Sequence, residues 1–201
     1  MSARDNILRR VRDALQVESE RPPAPAASAI WPPIGDLEAR FREEFTALRG
    51  EIIESLPEFL AGFAKIATDG SDVFTALCRR AVTDAPTEQG GYNNASVREA
   101  DLGVTTCECL VAQTGSVVLT CRSAEERALS ALPPVHLVVA RRSQIVPDLD
   151  AALALLRRRY DGGLPGMVAV ISGPSRTSDI EKVLVMGAHG PKRLALYFAG
   201  D

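Results

Sequence analysis

The sequence predicts an α/β fold: an open, mostly parallel sheet flanked by helices, preceded by an N-terminal amphipathic helix. Two near-continuous apolar runs, at residues 135–140 and 167–171, have almost no polar face. Such runs are typical of strands that are covered on both sides in a parallel sheet. A helical pattern at residues 148–160 separates them. This order predicts a βαβ unit with two parallel strands and a right-handed crossover.

Length and composition fit one folded domain with an added N-terminal arm. A chain of 201 residues can bury a sizeable core, and 46% apolar with 24% charged residues is ordinary for a globular protein. The net charge of −3 would attract neither nucleic acid nor an anionic membrane surface. No apolar run reaches the ~20 residues of a membrane span, and the first ten residues lack the apolar core of a secretory signal. We therefore expect a cytoplasmic protein with no membrane span and no nucleic-acid partner.

The N-terminal region is predicted to be a helix followed by a proline-rich linker. Residues 4–16 place four apolar side chains on one helical stripe: Ile7, Leu8, Val11 and Leu15. Residues 21–33 contain five prolines, too many for a helix or a central strand. We divide the chain into a helix and linker at residues 1–34 and an α/β domain at residues 35–201. The apolar stripe is expected to pack on that domain, on a partner or on a second copy.

Shorter patterns predict the remaining elements of the α/β domain. Helices are expected at residues 36–48, 57–67 and 72–81, strands at residues 51–56 and 194–198, and a polar turn at residues 88–94. Two β-rich runs, residues 108–112 and 116–121, flank Gln113-Thr114-Gly115. These runs predict a hairpin, or a strand break, with a tight corner.

A polar turn, Ser172-Gly173-Pro174-Ser175-Arg176-Thr177, follows the apolar run at residues 167–171. Ser178 and Glu181 form a capping-box pattern, which predicts a short helix directly after the turn. In open α/β sheets, ligands bind beyond the carboxyl ends of the strands, where backbone N–H groups and helix N-termini face solvent. We expect the turn to lie there.

The side chains of this turn are suited to an anion. Gly173 would let the backbone approach a ligand closely, and the serine and threonine residues offer hydroxyls. Arg176 offers a planar fork of donors that matches a carboxylate or a phosphate. The alternative interpretation is a tight turn in which Ser178 only caps a helix and Arg176 is a solvated surface charge.

The cysteines do not form a recognisable metal site. Cys78, Cys107, Cys109 and Cys121 contain no C-x-x-C pair and no histidine at a zinc-type spacing. Cys107 and Cys109 are two residues apart and are expected on one face of a strand, but a [4Fe–4S] cluster needs four thiolates. We therefore expect this chain to bind no metal. The sequence also contains no G-x-G-x-x-G motif and no P-loop.

The C-terminal motifs resemble a known family. Residues 172–177, followed by Asp179-Ile180-Glu181 and by Gly187-x-His189-Gly190-Pro191, are similar to the C-terminal signature of the LutC/YkgG-type lactate-utilisation proteins, also called the LUD domain. A fainter resemblance extends back through residues 133–136 and 112–115 to about Gly103. It implies a NagB/RpiA/CoA-transferase-like fold and a part in the oxidation of L-lactate to pyruvate. It also implies iron–sulfur clusters on two partner subunits. Because its four cysteines lack cluster spacing, we expect no cofactor on this chain itself.

Twelve residues follow as candidate ligand-binding residues: Ser172, Gly173, Pro174, Ser175, Arg176, Thr177, His189, Gly190, Gln113, Thr114, Gly115 and His136. The family commonly has a glutamate where this chain has Gln113, and an amide can be neither a carboxylate nucleophile nor a general base. Gln113 can still hydrogen-bond a ligand or its own corner. His136 is either a hydrogen-bonded structural residue or a ligand contact, whereas nothing in the local sequence requires an imidazole at position 189.

Three functions fit these observations. The first is a LutC-like subunit of an L-lactate-oxidising system that binds an anionic ligand or a partner at residues 172–177. The second is a stand-alone module that binds a small anionic metabolite and has no redox chemistry of its own. The third is an isomerase or transferase on the same fold, which Gln113 disfavours.

Overall fold

The computed structural model describes residues 2–16, 32–69, 94–177, 185–186 and 190–200. They belong to two compact units, Met1–Pro33 and Ile34–Asp201. In the first unit, helix α1 (Ala3–Leu15) begins with a capping box between Ser2 and Asp5, which confirms the predicted N-terminal helix. The described residues contain no helix that is both long enough and apolar enough to cross a membrane. What the apolar stripe of α1 packs against stays a prediction.

The second unit alternates helices and strands along most of its length. In chain order its elements are α2 (Leu37–Ala47), β1 (Glu51–Ile53), α3 (Leu56–Leu60), β2 (Ile66–Thr68), α4 (Asn94–Glu99), β3 (Leu102–Thr106), β4 (Cys109–Val111), β5 (Ser116–Cys121), α5 (Ala124–Ala131), β6 (Val135–Ala140), a 3-10 turn (Arg142–Gln144), β7 (Ile145–Val146), α6 (Leu149–Arg159), β8 (Met167–Ile171), β9 (Arg176–Thr177), β10 (Val185–Met186) and β11 (Arg193–Phe198).

Five parallel strands of the described residues form a sheet at the centre of this unit. Its strand order is β1-β11-β6-β3-β2, and every neighbouring pair is parallel. All six residues of β6 are buried, as expected for a strand that is covered on both faces. Leu56 and Leu60 of α3 pack on one face of the sheet with Leu137. The predicted α/β fold with a mostly parallel sheet is therefore confirmed.

A second sheet packs over the other face. Its order is β7-β4-β5-β8, with β5 antiparallel to both of its neighbours. Apolar side chains from α2 and from both sheets fill the space between the sheets, including Phe41, Phe45, Leu110, Val138 and Leu196. Helix α6 covers the outer face of the second sheet with Ala152 and Leu156. The unit is thus layered as helix, sheet, sheet and helix.

The predicted βαβ unit is wrong. Strand β8 does not lie beside β6 in the parallel sheet; it pairs antiparallel with β5 at an edge of the second sheet. Ala169 and Ile171 pack against the core between the sheets, and Val168 packs against the α6 cluster. The run is apolar because apolar layers lie on both faces, and periodicity does not distinguish that arrangement from a parallel strand.

The other predicted elements are mostly confirmed. The helix at residues 36–48 is α2, the helix at 148–160 is α6, and the corner at residues 113–115 joins the antiparallel hairpin of β4 and β5. The helix predicted at residues 57–67 is too long, because α3 ends at Leu60 and Ile66 begins a strand. The strand predicted at residues 51–56 ends at Ile53. The helices predicted at residues 72–81 and after Ser178 lie outside the described residues, as does most of the polar turn at 88–94.

Helix α2 contacts two glycine turns through its own backbone. Gly115 has φ +59°, and a Cβ built on it would lie 2.3 Å from the Phe45 amide nitrogen. Gly173 has φ +83°, and its Cβ would lie 2.5 Å from the Leu48 carbonyl oxygen. Both positions therefore need glycine for their conformation and for space. The contacts fix the hairpin corner and the turn after β8 against the C-terminal half of α2.

This packing predicts that Gly115→Ala loses about 2–4 kcal/mol of unfolding free energy, because the side chain adds backbone strain and a clash with α2. Gly162→Ala is the matched control, since a Cβ at Gly162 has no atom within 4 Å. The control should change stability by less than about 0.5 kcal/mol. Urea unfolding of the three proteins measures both effects, and equal stability of the two variants would contradict the proposed role of the contact.

Candidate functional site

Two regions predicted from the sequence meet in the structure. The Ser116 hydroxyl, directly after the hairpin corner, lies 2.7 Å from the Ser172 hydroxyl and 2.8 Å from that of Thr114. The backbone N–H of Gln113 donates to the Pro147 carbonyl oxygen over 3.0 Å. The corner at residues 113–115 and the turn at residues 172–175 therefore form one polar surface, which we call the hydroxyl turn.

The hydroxyl turn lies at the amino edge of the parallel sheet, not at the carboxyl edge that we expected. The Ser175 amide donates to the Pro191 carbonyl over 2.9 Å, shortly before β11 begins. The backbone N–H of Lys192 donates to the carbonyl oxygen of Pro134, which directly precedes β6. The expectation failed because it placed β8 in the parallel sheet, whereas β8 runs antiparallel to β5 in the other sheet.

The other candidate residues in and near the hydroxyl turn differ in exposure and in what they contact. Pro174 is buried and Arg176 is exposed, and Arg176 lies opposite Met186 in the short β9–β10 ladder. Gly190 lies next to Ser175, where a Cβ would be 3.1 Å from the serine Cβ. No carboxylate of the described residues pairs with Arg176. His189 and the side chain of Thr177 lie outside the described part of the chain.

His136 lies away from the hydroxyl turn, within the parallel sheet. Its side chain is fully buried in β6, with Nε2 2.9 Å from the Thr105 hydroxyl oxygen. Nδ1 has no hydrogen-bond partner in the described structure. Burial lowers the pKa of His136 to about 4, and the negative charge of Asp69 opposes this shift only in part. The ring is therefore neutral at physiological pH.

A polar cavity, which was not predicted from the sequence, opens at the carboxyl ends of β2 and β3. It has a volume of about 310 Å³, and a neighbouring cavity of about 430 Å³ shares with it residues 106–108 and Arg159. We call the first the carboxyl-edge cavity. Its position is the one at which open α/β sheets bind ligands.

Glu108 is the central charged group of this cavity. One carboxylate oxygen accepts hydrogen bonds from the Thr120 hydroxyl at 2.6 Å and the Tyr160 hydroxyl at 2.5 Å, and the other pairs with Arg159. Burial raises the pKa of Glu108, but the three donors together outweigh burial and hold the pKa below its usual value. Glu108 is therefore ionised at neutral pH. Its three hydrogen bonds join the β3–β4 connection to Thr120 of β5 and to Arg159 and Tyr160 at the end of α6.

Nearby polar groups hold the backbone around Glu108. The Asp69 carboxylate accepts from the Thr106 amide at 2.8 Å and from the Thr106 hydroxyl at 3.1 Å. The Gln144 side-chain amide donates to the Cys107 carbonyl over 2.6 Å. An anionic carboxylate that already accepts from three donors is a weak nucleophile, so this geometry suits orientation of Arg159 rather than attack by Glu108.

The two neighbouring cysteines do not share a face, contrary to our expectation. Cys107 lies before β4 and packs against the core between the sheets, whereas Cys109 packs against the α6 cluster. Burial raises the pKa of both thiols, that of Cys109 to about 11. Both are protonated at neutral pH, although the thiolate is the form that binds metals and attacks electrophiles.

Sequence reasoning overlooked Glu108, Arg159 and Tyr160 because they are far apart in the chain. The one available signal was Glu108 itself, a carboxylate inside the apolar run at residues 107–112, since a buried charge is normally paired. Its partners could not be found from the sequence, because the last turn of α6 contains three consecutive arginines.

The Glu108 network predicts a pH-dependent contribution to stability. Because its pKa is lower in the folded chain than its ordinary 4.5, the contribution is present above pH 4.5 and is lost as pH falls through the folded pKa. Glu108→Gln should cost about 2 kcal/mol at pH 7 and progressively less below pH 4.5. Glu99→Gln, which removes an exposed pair with Lys65, should cost less than about 1 kcal/mol. Urea unfolding from pH 7 to pH 3 checks this, and a Glu108→Gln loss that does not change with pH would contradict it.

His136 should titrate far from the ordinary imidazole value of 6.5. The C–H signals of the two histidines can be followed by NMR and assigned with a His189→Gln variant, and we expect a His136 midpoint near pH 4. The unfolded chain binds this proton more readily, so the stability contributed by neutral His136 is complete above pH 6.5 and declines as pH falls toward 4. A midpoint near 6.5 would show that water or a counter-charge reaches the ring.

Comparison with known proteins identifies relatives of the chain. It is 33% identical over 116 residues to lactate utilization protein C of Bacillus subtilis (strain 168), an alignment covering 57% of this chain and 48% of the relative. It is 39% identical over 106 residues to lactate utilization protein C 1 of Bacillus mycoides, covering 52% and 45%. It is 34% identical over 115 residues to the uncharacterized protein YkgG of Escherichia coli K12, covering 56% and 50%. The chain thus spans about half the length of these curated relatives.

A solved structure and a family profile extend the comparison. The crystal structure of a DUF162 family protein from Deinococcus radiodurans matches with a TM-score of 0.58 and 19% identity, covering 88% of this chain and all of that one, which shows a shared fold. The profile of the LUD domain matches residues 55–198, most of the second unit. The chain therefore belongs to the LUD domain family.

Proposed function

We propose that this chain serves in lactate utilisation, as a LutC-like subunit of a system that oxidises L-lactate to pyruvate. The observation that carries the proposal is the match to several Bacillus proteins named lactate utilization protein C, at 33–39% identity over about half their length. The LUD domain match over residues 55–198 supports it. Under this proposal the chain works beside other subunits rather than alone.

In that system, iron–sulfur partner subunits would carry the electrons, and this chain would bind no redox cofactor. The chemistry of its thiols supports this division. Cys107 and Cys109 lie in different apolar clusters, and burial raises the pKa of each. A cluster would need deprotonated thiolates that face one common point.

We further propose that the hydroxyl turn and Arg176 contact a small anion or an acidic group of a partner subunit. Arg176 is exposed, and its guanidinium can form a bidentate contact with a carboxylate. Ser172, four residues earlier in the same turn, is also exposed, and its hydroxyl is oriented by Ser116. An exposed arginine and an oriented, exposed hydroxyl in one turn suit either an anionic metabolite or a docking carboxylate.

The role in lactate utilisation predicts a growth phenotype. Deletion of the gene from its native host should abolish growth on L-lactate and leave growth on pyruvate unchanged, because only the oxidation step is lost. A plasmid copy of the wild-type gene should restore growth. Normal growth of the deletion strain on L-lactate, in the absence of a second gene of the family, would refute the proposal.

The contribution of Arg176 is tested with purified protein. Arg176→Ala should weaken binding of L-lactate, pyruvate or phosphate by about ten-fold (~1.4 kcal/mol) and change stability by less than about 0.5 kcal/mol, since the side chain is exposed. Arg127→Ala, an exposed residue of α5, is the control. Calorimetry and thermal melts separate the outcomes. A variant that melts earlier and binds as well as wild type would show that Arg176 is a structural tie.

The carboxyl-edge cavity favours a second function, a module that binds a metabolite without redox chemistry of its own. This cavity is formed by described residues of one chain, so binding there would need no partner. Binding of a metabolite by the purified chain, together with unimpaired growth of the deletion strain on L-lactate, would support this function over the first.

A further inference from the structure

We propose that the carboxyl-edge cavity binds a hydroxylated organic anion, a small metabolite that combines a carboxylate or phosphate group with hydroxyl groups. This site is distinct from the hydroxyl turn. Strand β5 begins at Ser116, beside Ser172, and reaches the cavity at Thr120. Four residues of strand separate the two by about 13 Å. A ligand held at Thr120 therefore does not reach Ser116 or Ser172.

Arg159 supplies the anion contact. Glu108 accepts from one terminal nitrogen of its guanidinium, and the side chain is 51% exposed where it lines the cavity. A guanidinium has five N–H donors, so donors remain for an oxyanion after Glu108 is satisfied. Glu108 fixes the plane of the group, and a fixed plane favours bidentate binding of a carboxylate or phosphate. Glu108 is thus a positioning residue for Arg159.

The acidic groups of the same lining explain why the ligand carries hydroxyls. Asp69 and Glu126 line the cavity beside the two arginines, Arg122 and Arg159. A bare anion would face both carboxylates and gain little net attraction. A ligand with hydroxyl groups donates hydrogen bonds to the carboxylates while its oxyanion faces the arginines. The mixed lining therefore selects for both kinds of group in one molecule.

His136 prepares a further donor for the ligand. Thr105 lines the cavity, and its hydroxyl oxygen is 2.9 Å from Nε2 of His136, whose buried Nδ1 has no hydrogen-bond partner among the residues that the structure describes. A buried N–H donor without a partner is rarer than a buried acceptor without one, so the ring carries its proton on Nε2. Nε2–H then donates to the Thr105 oxygen. The threonine proton is left to point to an acceptor in the cavity.

The dimensions of the cavity fit a metabolite. A volume of about 310 Å³ is at the lower end of the range of small-molecule sites. The neighbouring cavity reaches the same Glu108 and Arg159 from the side of Arg141 and Gln144. A ligand held at Arg159 can extend toward either side.

Calorimetry of the full chain tests the proposal with two pairs of probes. Gluconate is compared with acetate, and glucose 6-phosphate with inorganic phosphate, so that each pair shares an anionic group and differs in hydroxyls. In at least one pair the hydroxylated probe should bind about five-fold or more tightly than its bare counterpart. The pair that binds shows whether the anionic group is a carboxylate or a phosphate. Absence of binding by all four probes, or equal binding within both pairs, would overturn the proposal.

Variants of residues that line the cavity, with one neighbouring control, locate the binding. Arg159→Gln should weaken the tighter probe about ten-fold or more, whereas Arg158→Gln, an exposed neighbour that does not line the cavity, should bind as wild type does. If Arg159→Gln fails to fold, the exposed Arg122→Gln replaces it, with an expected weakening of about three-fold. Thr105→Ser, which keeps the hydroxyl, should bind more tightly than Thr105→Val. Equal affinity of the arginine variants and the Arg158→Gln control would place the probes elsewhere and refute the assignment.

Discussion

The stacking of the two sheets depends on the backbone contact between α2 and the glycine turns at Gly115 and Gly173. Either glycine, if it carried a Cβ, would overlap a backbone atom of Phe45 or Leu48. Phe41 and Phe45 are stacked with ring centroids 5.3 Å apart and fill the space between the sheets from the same helix. One helix thus sets both the spacing of the sheets and the position of the hydroxyl turn. At the opposite end of β5, the Glu108 carboxylate joins the second sheet to α6 through hydrogen bonds with Thr120 and Arg159.

The sequence was sufficient to predict the elements whose signals are local. Asp148 caps α6 through the Ala151 amide, and arginines occupy its last turn, so both ends of this helix could be read directly. The buried strand β6 and the corner at residues 113–115 were equally clear. The strand that pairs with β8 could not be predicted. An apolar run indicates that both faces of a strand are buried, but it does not indicate which strand lies beside it.

The same distinction between local and distant signals applies to the two polar sites, the hydroxyl turn and the carboxyl-edge cavity. The hydroxyl turn was found because its residues form compact motifs at residues 113–115 and 172–177. The carboxyl-edge cavity was not, because Glu108 reaches Arg159 and Tyr160 across more than fifty residues and two layers. The rule that ligands bind at the carboxyl edge of a parallel sheet was applied to β8, a strand of the other sheet. Applied to β3, the same rule leads to Glu108.

The place of β8 at the edge of the second sheet has a consequence for solubility during folding. Its five consecutive apolar residues, with Val170 47% exposed, resemble segments that add onto strands of other chains to form aggregates. Pro165 precedes this run and Pro174 follows it. Proline cannot donate to a strand ladder, so the two prolines limit intermolecular pairing to a short stretch. They act as gatekeepers for a strand that is attached to its own sheet on one side.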